Sequence, residues 1–309
     1  RRNLRQGPVF RLQGLALHGD YLYVADAENH ALRVVDTKTK TVTTLVGNGT
    51  QGRDYNGGRG GREQVISTPW DVYFEGGQVF IAMAGTHQIW TYNLEKKIAH
   101  NFSGNGSEQN LNHPDPFQAA WAQPSGLTVG ADELFIADSE SSTVRAISLS
   151  TGATRTIAGG EDARPRNLFA FGDIDGVGEK ARMQHVLGVQ WWEKEKKVIV
   201  ADTYNHRLKL LDPKANEVKR WIGSGKPGLK DGKALEAQFS EPSGFALGPD
   251  AKTLYVADTN NHVIRVVDLD TLEVRTLNLT GIPSAKEPIA PRSVRPVSYT
   301  HLTLPTKRI

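Results

Sequence analysis

The stretch that decides the fold is Leu254-Tyr-Val-Ala-Asp-Thr-Asn-Asn-His-Val-Ile-Arg-Val-Val-Asp268. Two short apolar runs with β-branched residues, Leu254–Ala257 and Val263–Val267, flank the segment Asp258-Thr-Asn-Asn-His262. Asp and Asn favour tight turns because their side chains hydrogen-bond nearby backbone groups and tolerate left-handed geometry. The stretch therefore predicts a β-hairpin.

The same hairpin pattern occurs five times along the chain. The intervals between the marker positions 26, 83, 138, 202 and 258 are 57, 55, 64 and 56 residues. A short apolar run precedes each hairpin and another follows it, so each unit is expected to contain four antiparallel strands. A self-similar all-β unit at a nearly constant spacing indicates a repeat architecture. Four strands in each repeat predict the blades of a β-propeller.

The repeats also divide the chain. We place a propeller at residues 1–282, with its five repeats at approximately residues 12–52, 67–106, 122–160, 184–225 and 239–280. Residues 283–297 are rich in proline and are interpreted as a linker. Residues 298–309 have no counterpart in the repeats and resemble translated cloning-adapter sequence, so they are left out of the fold prediction.

The amino-acid composition argues against several classes of function. The chain has 309 residues and no cysteine, so these residues form neither a disulfide nor a CxxC redox pair. The formal net charge is +3 and becomes +1 without Lys307 and Arg308 of the last segment (3 − 2 = 1). The longest apolar stretch falls well short of the roughly 20 residues that span a bilayer. Near-balanced charge argues against a strongly basic nucleic-acid-binding surface.

The repeat unit resembles the NHL repeat: Pro-x-Gly, then Val/Ile-Ala-Asp, then Asn-His-x-Ile-Arg. Irregular stretches such as Ser67-Thr-Pro-Trp-Asp-Val72 and Ala137-Asp-Ser-Glu-Ser-Ser-Thr-Val-Arg145 are similar to the propeller of the thioredoxin-like NHL proteins, over roughly residues 10–281. The resemblance implies a six-bladed ring, so one N-terminal blade is expected to be missing from this segment. It also implies a thioredoxin-like domain before the propeller and a β-rich domain after it, outside these residues.

Two recurring side chains could form a ring of metal ligands. The marker position holds Asp in four repeats, and a His follows it by four residues in four repeats. A ligand set must converge, whereas a repeated residue recurs around a ring, so we expect the Asp to cap backbone N–H groups and the His to hydrogen-bond within or between blades. No metal and no cofactor is expected. The residues are Asp26, Asp138, Asp202 and Asp258, and His30, His87, His206 and His262.

A cation recurs seven residues after the marker position. We expect it to form a salt bridge with the Asp of the same or the next blade. The alternative is a basic stripe that binds RNA phosphates, next to aromatic side chains that stack on bases. The residues are Arg33, Arg145, Lys209 and Arg265.

The second repeat departs most from the pattern. Met83 replaces the Asp, Trp90 replaces the cation, and Trp70 lies in the motif that opens the repeat. With His87, these side chains are the candidate binding residues, because tryptophan is enriched at the centres of protein interfaces. The alternative is that the aromatic residues fill space between blades.

The sequence favours a non-catalytic protein-interaction or scaffold module, since no nucleophile–base arrangement and no phosphate-binding loop is present. Expected partners are other proteins or the thioredoxin-like domain that the resemblance implies. An RNA-binding propeller is the first alternative, and a metal-dependent lyase similar to the peptidylglycine amidating enzymes is a weaker one. The resemblance is compatible with a cytoplasmic location or with the thylakoid lumen of the chloroplast.

Overall fold

The computed structural model describes residues 12–279, of which those up to Leu277 belong to one compact unit. They form five antiparallel sheets, one for each predicted repeat, which confirms the all-β propeller. The predicted linker and the segment 298–309 lie outside the described residues. Within residues 12–279, no helix has the length and the apolar character needed to cross a bilayer.

Each blade has four strands that follow one another in the chain and pair with their neighbours. Blade 1 contains β1 (Leu12–His18), β2 (Tyr21–Asp26), β3 (Ala31–Asp36) and β4 (Thr41–Val46). Blade 2 contains β5 (Gly57–Arg59), β6 (Pro69–Glu75), β7 (Gln78–Met83), β8 (Gln88–Asn93) and β9 (Ile98–Ser103). Blade 3 contains β10 (Pro124–Gly130), β11 (Glu133–Asp138), β12 (Thr143–Ser148) and β13 (Thr154–Ala158).

Blade 4 contains β14 (Gly176–Val177), β15 (Gly188–Trp192), β16 (Lys197–Asp202), β17 (Arg207–Asp212) and β18 (Glu217–Ile222). Blade 5 contains β19 (Gly232–Lys233), β20 (Pro242–Leu247), β21 (Thr253–Asp258), β22 (Val263–Asp268) and β23 (Glu273–Thr276). Single-turn 3-10 helices cover Ala84–Thr86, Thr203–Asn205, Ala234–Glu236 and Thr259–Asn261.

Three blades have a fifth strand that the sequence did not predict. The short strands β5, β14 and β19 come from the segments between blades and pair with the outermost strands β9, β18 and β23. Each segment therefore runs past the outer edge of the following blade before it reaches that blade's innermost strand. Strands of two or three residues rich in glycine carry no alternating apolar pattern, which is why they were read as loops.

The hydrophobic core lies between the blades. Because successive side chains of a strand point to opposite faces, each blade offers one apolar face to each neighbour. Between blades 3 and 4, for example, Phe135 and Val144 pack in one cluster with Val198 and Val200. Residues 12–279 contain four such interfaces, one between each pair of consecutive blades.

The outward faces of blades 1 and 5 lack such cover among the described residues. Leu15 of β1 is 57% exposed, whereas Val72, at the same position of β6, is 2% exposed. On the last blade, Tyr255 is exposed while Ile199, its counterpart in blade 4, is buried. The first strands of the five blades surround a central cavity of about 750 Å³ that also reaches these two faces.

Candidate binding surface and central cavity

The marker aspartates tie each hairpin to the segment that opens its blade. Asp138 is fully buried and accepts hydrogen bonds from the backbone N–H groups of Ala122 (3.1 Å) and Gln123 (2.6 Å). Asp202 and Asp258 do the same with the N–H groups of residues 184 and 240, each at 2.7 Å. The carboxylates thus cap backbone groups 15 to 18 residues earlier in the chain.

The recurring cations lie inside the same blades as their aspartates. Arg145 Nη1 is 3.0 Å from Asp138 Oδ2, and Arg265 Nη1 is 3.0 Å from the carboxylate of residue 258. Lys209 Nζ is 3.0 Å from Asp202 Oδ2, and Arg33 Nε is 2.5 Å from the carboxylate of residue 26. Burial raises the pKa of Asp202, and the charge of Lys209 opposes that rise.

The same cations also hold the segments between the blades. The Arg145 guanidinium donates to the carbonyls of Ala120 (2.6 Å) and Leu111 (2.7 Å), and Lys209 Nζ donates to the carbonyl of residue 182 (3.0 Å). Arg145, Lys209 and Arg265 are fully buried. These three positions therefore provide no basic stripe on the surface, which the RNA-binding interpretation requires. Their cations form ion pairs and hydrogen bonds with internal carboxylates and carbonyls.

The repeated histidines connect neighbouring blades. His30 Nδ1 accepts the N–H of Thr68 at 3.0 Å, and His206 Nδ1 accepts the N–H of Glu241 at 3.2 Å. The ring of His87 hydrogen-bonds to the carbonyl of residue 122 in blade 3. In the third blade, Ser142 Oγ takes this role by accepting the N–H of residue 185 at 3.0 Å. The imidazole ring of His262, on blade 5, has no hydrogen-bond partner within the described residues, whereas its backbone N–H donates to the carbonyl of Thr259 (3.1 Å).

The four histidines and Ser142 occupy equivalent turns in five different blades. All of these turn residues have left-handed backbone geometry, with φ between 44° and 56°. Within the described part of the chain, no cluster of three or more His, Cys, Asp or Glu side chains is placed to hold a metal ion.

The four candidate binding residues of blade 2 separate into two groups. Met83 is fully buried and Trp90 is 1% exposed, and both lie in the core between blades 1 and 2. These two side chains therefore fill the space between blades, as in the alternative interpretation, and form no exposed patch. They form a neutral version of the buried ion pair: Met83 Sδ accepts the N–H of Ser67 (3.4 Å), and Trp90 Nε1 donates to Gln88 Oε1 (2.9 Å). His87 bonds to blade 3, and the half-buried Trp70 lines the central cavity.

Sequence reasoning missed Asp71, which also lines this cavity. It stands where the other four blades have glycine, and that substitution was the available signal. Its Oδ2 accepts the N–H of Leu127 in blade 3 at 2.8 Å. Burial raises the pKa of the Asp71 carboxyl to about 7, and the hydrogen bond from Leu127 only partly offsets this rise. The equivalent glycines are Gly14, Gly126, Gly188 and Gly244.

The glycines show what an ordinary side chain would meet here. A Cβ added at Gly126 would lie 2.5 Å from the carbonyl oxygen of Leu187, and one added at Gly188 would lie 1.9 Å from that of Ser243. The innermost strands of blades 3, 4 and 5 thus approach through backbone contact. Between blades 2 and 3, the Asp71 carboxyl bridges the strands instead.

The described lining of the central cavity contains one carboxyl group. Among residues 12–279, no Lys or Arg lines the cavity, and Asp71 supplies the carboxyl group. His185 also lines the cavity, and burial lowers the pKa of its imidazole to about 4, so that it is neutral at pH 7. Its ring stacks on that of Tyr204, with 4.5 Å between the centroids.

Exposed apolar side chains concentrate in the segments between blades and in the turns between the second and third strands of each blade. We call these segments and turns together the loop end. Nine of the fifteen large hydrophobic side chains that are exposed within residues 12–279 lie in these segments or turns. They are Tyr55, Phe117, Phe169, Phe171, Ile174, Val177, Tyr204, Leu229 and Leu235.

Comparison with known proteins defines the class. The family model for the LVIVD repeat matches residues 12–50, which include blade 1. With the five-bladed fold and the relatives described next, this identifies the chain as a β-propeller of NHL repeats.

The particular relatives are longer proteins. The chain is 49% identical over 289 residues to Protein SUPPRESSOR OF QUENCHING 1, chloroplastic, of Arabidopsis thaliana, covering 89% of this chain and 27% of that protein. It is 45% identical over 289 residues to NHL repeat-containing protein 2 of Homo sapiens, covering 86% of this chain and 40% of that protein. These findings confirm the predicted resemblance to NHL repeat proteins of these two kinds, and the chain spans less than half the length of either relative.

Among solved structures, a chain of the nidogen/laminin complex has the same fold, with a TM-score of 0.58 and 14% identity. The match covers 88% of this chain and 81% of that chain. At this identity the likeness concerns the fold alone.

Proposed function

We propose that this chain is the non-catalytic protein-interaction module of a longer thioredoxin-like NHL protein, and that partners bind at its loop end. The observation that carries the proposal is the concentration of exposed apolar side chains there. Contiguous apolar surface rimmed by polar groups is typical of protein interaction sites, and aromatic side chains are enriched in them. The module would hold partners, or the thioredoxin-like domain of the same protein, in a fixed geometry.

The loop segment before blade 4 supports this proposal. Phe169 is 78% exposed, and Phe171, two residues later, is also exposed. The segment is held in place, because Asn205 Nδ2 donates to the carbonyl of Gly172 at 2.7 Å and the N–H of Gly172 donates to the carbonyl of Met183 at 3.0 Å. An apolar side chain that is fixed yet exposed loses little conformational entropy on binding.

The burial of the charged side chains supports a non-catalytic role for this chain. The repeated Asp, Arg and Lys side chains, which are the residue types most able to do chemistry, are committed to internal hydrogen bonds and ion pairs. What the loop end offers to other molecules is mainly recognition surface. The name of the Arabidopsis relative makes the chloroplast the first location to examine, by fractionating cells that express the full-length protein.

The test compares partners of the full-length protein that contains this chain. We expect the double variant Phe169→Ser/Phe171→Ser to lose a defined subset of the partners found by quantitative cross-linking and mass spectrometry. Tyr21→Ser is the matched control, since Tyr21 is an exposed aromatic residue at the start of β2, at the opposite end of the blade.

Both variants must retain the wild-type melting temperature for the comparison to count. Identical partner sets in all three proteins would contradict the loop end as the contact surface. Partners that disappear after ribonuclease treatment would support the RNA-binding alternative instead.

A further inference from the structure

We propose that the central cavity, with its mouth at the loop end, binds a positively charged side chain of a peptide segment, either lysine or arginine. The inference rests on the proposed function, because it gives the interaction module a ligand chemistry. It is carried by the charge of the cavity, by the side chains at its mouth and by its size.

The part of the cavity lining that the structure describes supplies no positive charge. Within residues 12–279, the lining contains no Lys or Arg, and Asp71 supplies a carboxyl group. The neighbouring polar groups are uncharged and include Gln13, Ser125 and Gln190. A cation that enters this space meets no like charge from the described lining, and its approach favours the ionised form of the Asp71 carboxyl, whose pKa is about 7.

The charged groups near the mouth of the cavity are also acidic. Tyr204 is exposed at the loop end and stacks on His185 of the lining. Burial raises the pKa of the Tyr204 hydroxyl, and the nearby charges of Glu241 and Glu140 raise it further. Burial also raises the pKa of Glu140, with contributions from Glu108 and Asp138, while His87 acts in the opposite direction.

Within the described part of the chain, neither Glu140 nor Glu241 forms a salt bridge, and both are half-buried. The other acidic groups of the repeat differ, since the marker aspartates each face a buried Arg or Lys. Negative potential is therefore left uncompensated at the mouth, where a cation from another molecule would lower its energy.

Aromatic faces add a second kind of recognition. Trp70 lines the cavity, and the exposed Tyr204 stacks on His185 of the lining. An ammonium or guanidinium group is attracted to the face of such a ring, most strongly for tryptophan. The volume of about 750 Å³ lies within the usual range of roughly 300–1,000 Å³ for ligand pockets. It accommodates a long basic side chain together with the residues that flank it.

The test uses the 309-residue chain and three probes. The first is a fluorescein-labelled seven-residue peptide with three lysines separated by Gly and Ser. The second is the same peptide with glutamate in place of each lysine, and the third is unlabelled spermidine as a competitor. Fluorescence anisotropy should show saturable binding of the lysine peptide and none of the glutamate peptide, with affinity that falls as salt is raised, because ions screen the attraction.

Substitutions then locate the site. The variants Asp71→Asn and Glu140→Gln/Glu241→Gln should each weaken binding of the lysine peptide about tenfold, equivalent to about 1.4 kcal/mol. Glu75→Gln, which removes an exposed carboxylate at the end of β6, should leave the affinity unchanged. Equal affinity of all four proteins, or binding of the glutamate peptide, would overturn the inference.

Spermidine that displaces the peptide as strongly as unlabelled peptide does would assign the site to free amines, and so would overturn the peptide ligand. Absence of lysine-peptide binding, combined with loss of partners in the Phe169→Ser/Phe171→Ser protein, would refute this inference while leaving the proposed function in place.

Discussion

Blades 2 and 3 differ in the side chains that connect the hairpin to its neighbouring segments: blade 3 uses a buried ion pair, and blade 2 uses neutral side chains. In blade 3, the buried pair Asp138–Arg145 joins the hairpin, the opening segment of the blade and the carbonyls of the preceding segment. In blade 2, Met83 and Trp90 occupy the same two positions without charge. Gln88 Nε2 donates to the carbonyl of Tyr55 in the preceding segment (3.0 Å) and to that of Gly104 after the last strand of the blade (2.9 Å), and Gln64 Nε2 donates to the carbonyl of Val65 (2.9 Å).

The comparison shows which part of the repeat is required. Both networks satisfy the backbone groups of the opening segment and of the segment between blades, whereas only one of them contains ions. A buried ion pair loses the hydration of both charges, so a well-packed neutral pair is often as stable. What a blade needs is therefore the set of satisfied backbone groups. The charges are dispensable when both members of the ion pair are replaced by neutral side chains.

The largest expected effect comes from breaking the ionic network halfway. Arg145→Met leaves the fully buried Asp138 carboxylate without its cation and removes one of the two donors to each of the carbonyls of Ala120 and Leu111. We expect the free energy of unfolding to fall by about 3–5 kcal/mol, as for other buried ion pairs that lose one partner. Urea unfolding followed by circular dichroism measures this loss.

A triple variant sharpens the same comparison. Asp138→Met/Thr143→Gln/Arg145→Trp copies the trio of blade 2 into blade 3, at the same spacing along the strands. It should recover at least about half of the stability lost by Arg145→Met, since no uncompensated buried charge remains. A triple variant no more stable than the single one would show that the charges themselves are needed in blade 3.

The second expected effect concerns the position where blade 2 has Asp71 and blade 3 has Gly126. The pKa of Asp71 is raised to about 7 in the folded protein, above its ordinary value of 3.8. The folded state therefore holds a proton that the unfolded chain releases, and stability is lost as pH rises from about 4 to about 7. Asp71→Asn should remove a loss of about 2–4 kcal/mol over this range.

The measurement is the difference in unfolding free energy between wild type and Asp71→Asn at several values of pH from 4.5 to 8. The variant should gain stability relative to wild type as pH rises, and the titration of all other groups cancels in the difference. A difference that stays constant with pH would mean that the Asp71 carboxyl keeps an ordinary pKa.

The sequence predicted the repeats and the strands well, because alternating apolar residues and Asp/Asn turns are local signals. It also placed Met83 and Trp90 at the positions of the ion pair, which made them exceptions worth examining. Their burial was not predictable in the same way, since a tryptophan on a strand can face a neighbouring blade or the solvent. Asp71 was missed because its environment depends on the approach of β6 to β10, which only the three-dimensional structure shows.

The smallest expected effect compares an interior blade with an end blade. His206 Nδ1 accepts the N–H of Glu241 in blade 5, whereas His262, at the same left-handed turn position, has no such partner within residues 12–279. Asn tolerates left-handed geometry, so His→Asn removes the ring without straining the turn. His206→Asn should cost about 0.5–1.5 kcal/mol, the net worth of one hydrogen bond, and His262→Asn should cost less than about 0.5 kcal/mol. Equal losses in urea unfolding would mean that the turn itself, rather than the contact between blades, gives the histidine its stabilising role.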